Sequence, residues 1–161
     1  MLVRFEKIDD LSNGVVQFYT VRLGNNLLSE FELFDEKEFP NHENEVILTY
    51  NVIMEMGKRG AQKIYFKHEH AANALPRVSQ EIMEANKDDF GLRLYCIHLT
   101  RTLVVLLNGD IKTAINPENC KNVKAHFLQA KKIAVHLDKA LANGEISYLT
   151  EDSLTDFEIE I

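Results

Sequence analysis

Arg93 and Tyr95 stand two residues apart in the apolar run Leu92–Leu99, so in a strand they share one face. A guanidinium placed there can grip a phosphate through two parallel hydrogen bonds, and a phenol ring can stack on a base. A solvated strand face with a cation–π contact accounts for the same pair more simply. Lys112-Thr113 follows a second apolar run, Thr102–Asn108, and the turn Asn108-Gly109-Asp110. A Lys-Thr pair past a strand end can hold a phosphate, but no glycine-rich GxxxxGK run precedes it, so it is not a P-loop. His68-Glu69-His70 sets two imidazoles on one face of an extended segment. It is not HExxH and spacing places no third ligand, so no metal is expected. His98 shares parity with Leu92, Leu94 and Cys96 and reads as a half-buried histidine. Cys96 and Cys120 have no CxxC partner, and neither a disulfide nor a zinc site is expected of them. No GxSxG elbow, dinucleotide fingerprint or paired-carboxylate pattern occurs, and no cofactor is expected.

The elements that would position these side chains follow from pattern. Met1–Ile8 and Val15–Leu23 read as strands, the second rich in β-branched and aromatic residues. Ser29 with Glu32 three positions on is a capping box opening a helix that Phe39-Pro40 should end. A second helix is expected over Glu43–Arg59, with Gly60 to stop it. Gln62–Lys67 is a short strand candidate, and residues 71–89 read as irregular with a turn of helix within them. Leu92–Leu99 and Thr102–Asn108 form a hairpin through Thr100-Arg101, the second strand apolar on both faces and therefore central. Asn116-Pro117 starts a last helix over Glu118–Asn143, and Asn143-Gly144 stops it. Its apolar stripe is Val123, Phe127, Ala130, Ala134, Leu137 and Leu141. The order gives an α+β domain: a small antiparallel sheet, a helical pair after the N-terminal strands and a long C-terminal helix.

The 161 residues carry 18 Lys+Arg against 25 Asp+Glu, a net charge of −7 that on its face argues against nucleic acid. The charge is unevenly distributed. Residues 1–90 hold 10 basic and 16 acidic side chains, 91–144 hold 8 and 3, and 145–161 hold none and 6. The division expected is a single α+β domain over 1–144 followed by an acidic C-terminal tail over 145–161. The start MLVRFEKIDD has no apolar core of a secretory leader, and the longest apolar run is too short to span a bilayer. A cytoplasmic protein without membrane attachment is the expectation.

The run Gly91–Thr113, GLRLYCIHLTRTLVVLLNGDIKT, resembles the C-terminal half of RelE/HigB-like toxins, including phage-derived relatives. The upstream order of strand, two helices and strand agrees with that family, so the resemblance spans roughly 15–141. It implies the toxin component of a toxin–antitoxin pair, a ribosome-dependent mRNA endoribonuclease that needs no metal. The resemblance places Arg93 at the strand arginine that stabilises charge on the scissile phosphate, and Lys112 at the basic residue acting as clamp or proton donor. Tyr95 and His98 would stack on a base or transfer a proton. Apart from the resemblance, Lys121, Lys124, Lys131 and Lys132 on the last helix, with Arg101 at the hairpin turn, form a basic set. That set can contact RNA backbone or an acidic protein, and plain solvation accounts for it equally well. The partners implied are ribosome and mRNA, a cognate antitoxin and a second copy of the chain.

The chain departs from the family in its acidity, in the strand Met1–Ile8 and in its last segment. A catalytically inert RelE-like module that binds protein is the alternative these departures suggest. The alternating DFEIEI ending suits an edge strand or a segment shielding the basic helix face, and equally a disordered acidic terminus.

Overall fold

Strand-forming residues dominate both ends of the chain, and they meet in one sheet. The computed structural model describes residues 1–77, 90–149 and 152–161. Its strands are β1 (Leu2–Lys7), β2 (Gln17–Leu23), β3 (Lys67–Glu69), β4 (Ala72–Leu75), β5 (Leu92–Thr100), β6 (Leu103–Ile111) and β7 (Glu158–Glu160). They lie in the order β3-β4-β5-β6-β2-β1-β7. Every neighbouring pair is antiparallel except β2 and β6. The connection leaving β2 carries α1 (Glu30–Asp35) and α2 (Glu43–Arg59), and α3 (Lys124–Ala142) follows β6. The fold is α+β, as its patterning predicts, with a larger sheet than expected.

Burial on two faces explains the apolar run of β6. Val104 and Leu106 face α1 and α2 with Phe18, Leu92, Leu94 and Cys96, against Phe31, Phe34, Ile53 and Met56. Leu103, Val105 and Leu107 face α3 with Tyr19, Tyr95 and Ile97, against Phe127, Ile133 and Leu137. A Cβ at Gly109 would overlap the Arg93 carbonyl oxygen, so only glycine lets β6 approach β5 there. At Gly60, φ is +91° and a Cβ would crowd the Arg101 side chain, so glycine also suits the end of α2.

The Ser29–Glu32 start of α1 and the Gly60 stop of α2 hold, but α1 ends at Asp35, ahead of Phe39-Pro40. Glu32 N–H donates to Ser29 Oγ at 3.3 Å and Ser29 N–H donates to Glu32 Oε2 at 2.7 Å, which is the expected capping box. Other expectations need correction. Gln62–Lys67 is mostly a 3₁₀ turn at Lys63–Tyr65, with the strand beginning at Lys67. β4 lies inside the segment expected to be irregular, and the part of that segment over 78–89, with the expected turn of helix, is outside the described residues. Asn116 caps a separate 3₁₀ turn, Pro117–Asn119, and α3 starts only at Lys124. Leu141 is exposed, while Ile133 and Ala140 complete the buried stripe.

Residues 145–161 are built into the domain where they are described. Ile146, Leu154 and Ile159 join the core under α3, and β7 pairs with β1 at the opposite edge of the sheet from β3. The tail carboxylates meet local cations: Arg4 Nε lies 2.9 Å from Glu158 Oε1 and Lys7 Nζ 3.4 Å from Asp152 Oδ1. The edge-strand form of the expectation is thus observed, and these contacts do not lie over the α3 lysines. Among the described residues no helix is long and apolar enough to cross a membrane.

Candidate functional site

Arg93 and Lys112 do come together, but around a carboxylate inside the protein. Glu69, at the end of β3, turns inward, and its Oε1 lies 3.0 Å from Lys112 Nζ, 3.7 Å from Arg93 Nε and 4.0 Å from Lys67 Nζ. Arg93 is 0% exposed and Lys112 3% exposed. The cause is α3, which docks on the β5 face expected to be solvated. The Phe127 ring packs 5.8 Å from Tyr95, which is itself fully buried. Burial raises the Tyr95 hydroxyl well above its ordinary range, and the Glu69 carboxylate adds to this. Burial also lowers Arg93, with Glu69 pulling it back up. Lys67 is pushed down to about 8, first by burial and then by the Arg93 and Lys112 cations. In this conformation, Arg93, Tyr95 and Lys112 present nothing to an RNA phosphate. Arg93 and Lys112 instead form with Glu69 a buried ionic knot tying β3 to β5 and to the end of β6, and Tyr95 packs beside it.

The knot shapes its neighbourhood. Strand alternation turns His68 outward as Glu69 turns inward, His70 follows in the β3–β4 turn, and both histidines are exposed. They line an open cleft of about 670 Å³, together with Lys63, Asn73, His98 and Arg101. His70 has φ of +59° at the β3–β4 turn and rests against the Phe127 ring at 5.7 Å. Lys131 Nζ lies over the same ring at 5.9 Å and pairs with Glu118 at 3.9 Å, so the α3 basic face begins beside the cleft. Lys121, Lys124 and Lys132 are exposed further along.

His98 forms the floor of the cleft. Its ring stacks on Phe66 at 4.4 Å, and Nε2 is buried with no hydrogen-bond partner among the described residues. Burial lowers its pKa; the Ala61 and Thr100 backbone opposes this, while His68 and Lys63 reinforce it. Neutral imidazole is therefore favoured. Arg101 projects from the β5–β6 turn, held by donation from Nη2 to the Arg59 carbonyl at 3.1 Å. Among the described residues no three His, Cys, Asp or Glu side chains are grouped to hold a metal ion.

Two of the expected site residues, His98 and Arg101, thus lie in the cleft, and Lys131 adjoins it. Arg93 and Lys112 lie in the knot behind it, with Tyr95 beside them. Sequence reasoning passed over Lys63, and weighed His68 and His70 only as metal ligands. The available signal was strand alternation at His68-Glu69, which puts the His68 imidazole opposite the carboxylate, whereas the place of His70 follows from the turn. No family model, curated protein or solved structure matches this chain.

Proposed function

We propose that the chain is a RelE-like toxin that cleaves mRNA on the ribosome without a metal, and that the cleft is its working surface. The convergence of His68, His70, Lys63 and Arg101 on one open concavity carries this reading. The Gly91–Thr113 run supports it, as does the order β2-α1-α2 followed by strands, with β2 lying parallel beside β6.

The chemistry requires little more than those groups. Lys63 and Arg101 offset the phosphate charge as the RNA 2′-oxygen bonds to phosphorus. His70, which makes no side-chain hydrogen bond among the described residues, accepts the 2′-OH proton. His70 then returns that proton to the 5′-oxygen as the P–O5′ bond breaks, leaving a cyclic phosphate and a 5′-OH, while the His68 N–H donates a hydrogen bond to a phosphoryl oxygen. Lys131 holds the adjoining backbone. The ribosome, a cognate antitoxin and a second copy of the chain are the partners proposed, in the cytoplasm.

Expression should arrest bacterial growth, and His70→Ala or Lys63→Ala should relieve it with the fold intact. A harmless unaltered chain that leaves translating mRNA uncut would end this reading. The burial of Arg93 and Lys112 favours a second reading, an inert module of the same fold that binds protein. It predicts one specific protein partner, and no cleavage under any condition.

A further inference from the structure

Asn73 sits on β4 directly opposite His68 on β3 and is 7% exposed. Its amide bridges two groups. The backbone N–H of His98 donates to Asn73 Oδ1 at 3.0 Å, and Asn73 Nδ2 lies 3.1 Å from His68 Nδ1. A backbone N–H can only donate, so the atom it meets must be the amide oxygen. The amide orientation is thereby fixed, and Nδ2 is the donor facing His68. Nδ1 of His68 must then accept, so the neutral ring carries its proton on Nε2. A rigid backbone donor two strands away, on β5, sets the tautomer of an exposed histidine.

We infer that Asn73 is a positioning residue that makes His68 a fixed N–H donor, and that the cleft binds a phosphate group through that donor with Lys63 and Arg101. A directed imidazole N–H beside two flexible cations suits a tetrahedral anion, whose oxygens accept from several sides. The opposite tautomer would aim a lone pair at that anion. The inference concerns the cleft on which the proposed cleavage rests, but it is tested without cleavage, so that either can fail alone.

The test is nitrogen-15 NMR of the full chain, with the His68 ring assigned by comparison with His68→Gln. At a pH of about 8, where an ordinary imidazole is neutral, His68 should show a protonated Nε2 and a bare Nδ1. Asn73→Asp, whose carboxylate accepts from both neighbours, should move the proton to Nδ1. Asn73→Leu should leave the tautomers mixed. Inorganic phosphate should perturb His68, and so should a 2′-O-methyl dinucleotide that cannot be cleaved. Asn73→Leu should weaken phosphate about three- to tenfold, the scale of one directed hydrogen bond.

A bare Nε2 in the unaltered chain would overturn the inference, and that spectrum decides even if the variants fail to fold. Perturbation by the dinucleotide but not by phosphate would overturn the ligand assignment, because sugar and base would then carry binding. A protein that cleaves RNA with His68 protonated on Nδ1 would retain the activity and lose this inference. One that shows the Nε2 proton and phosphate binding but never cleaves would do the reverse.

Discussion

Glu69→Gln tests the knot behind the cleft. The substitution keeps the shape of the side chain and an acceptor for Lys112, but removes the carboxylate that, among the described residues, lies within 4.0 Å of all three cations. At an effective dielectric of about 20, the attraction between Glu69 and Lys112 at 3.0 Å is roughly 5 kcal/mol, and desolvation of the two ions opposes it. What the substitution exposes is the cost of leaving Arg93 and Lys112 buried without the Glu69 charge, with Glu45 the remaining carboxylate that acts on Arg93. Breaking a buried pair from one side costs about 3–5 kcal/mol. For a chain of this size that lowers the melting temperature by roughly 6–20 °C. Circular dichroism melts, with urea unfolding beside them, measure it. The triple variant Glu69→Gln, Arg93→Met, Lys112→Met should regain most of the loss, because a whole buried ionic group can be replaced by apolar ones at little cost. A Glu69→Gln protein melting within about 2 °C of the unaltered chain would refute the knot.

Three other perturbations bear on the fold. Burial, reinforced by the Lys37 ammonium and opposed by Asp110, pushes His126 down to about 4 from an ordinary 6.5. The unfolded chain then binds the proton first, so stability is lost as pH falls from about 6.5 to about 4. His126→Gln should flatten that arm of a urea-unfolding series, and an unchanged slope would contradict the assignment. Gly109→Ala should cost about 1–3 kcal/mol by forcing β6 from the Arg93 carbonyl, whereas Gly14→Ala, with open space around it, should cost far less in the same assay. Leu154→Ala, at a fully buried position, should cost about 2–5 kcal/mol if the C-terminal segment belongs to the core. A near-neutral result in urea unfolding would return that segment to the status of an appended tail.

Much of the architecture was legible because it rests on local chemistry. Ser29 and Glu32 announce a helix start whatever surrounds them, and Glu43–Arg59 repeats its apolar residues at helical spacing until Gly60 ends it. The double-sided apolarity of β6 revealed its central place. The short strands β3 and β4 were harder to see. Three or four residues carry little periodicity, and Lys67–Glu69 owes its place to pairing with β4 and to the inward pull on Glu69.

The exposure expected of Arg93 and Tyr95 failed for a related reason. Strand parity correctly put Arg93 and Tyr95 on one face, but parity cannot say what covers that face. The covering element is α3, docked through Phe127 and its neighbours, and its position depends on long-range packing. Once the face is buried, an arginine needs a carboxylate, and Glu69 supplies it from a distant strand. His68 becomes exposed chemistry as a consequence, and His70 joins it from the turn. The −7 net charge is likewise local in its effect, since Glu158 and Asp152 meet Arg4 and Lys7, far along the sheet from the cleft.

Cleavage of a defined mRNA in a purified translation system tests the central claim most directly. The unaltered chain should cut within the translated message and leave 5′-OH ends. His70→Ala and Lys63→Ala should each slow cutting about a hundredfold or more while melting like the parent. Lys112→Met, which breaks the knot, should lose activity only in proportion to lost folded protein. An uncut message, or cleft variants as active as the parent, would contradict the account.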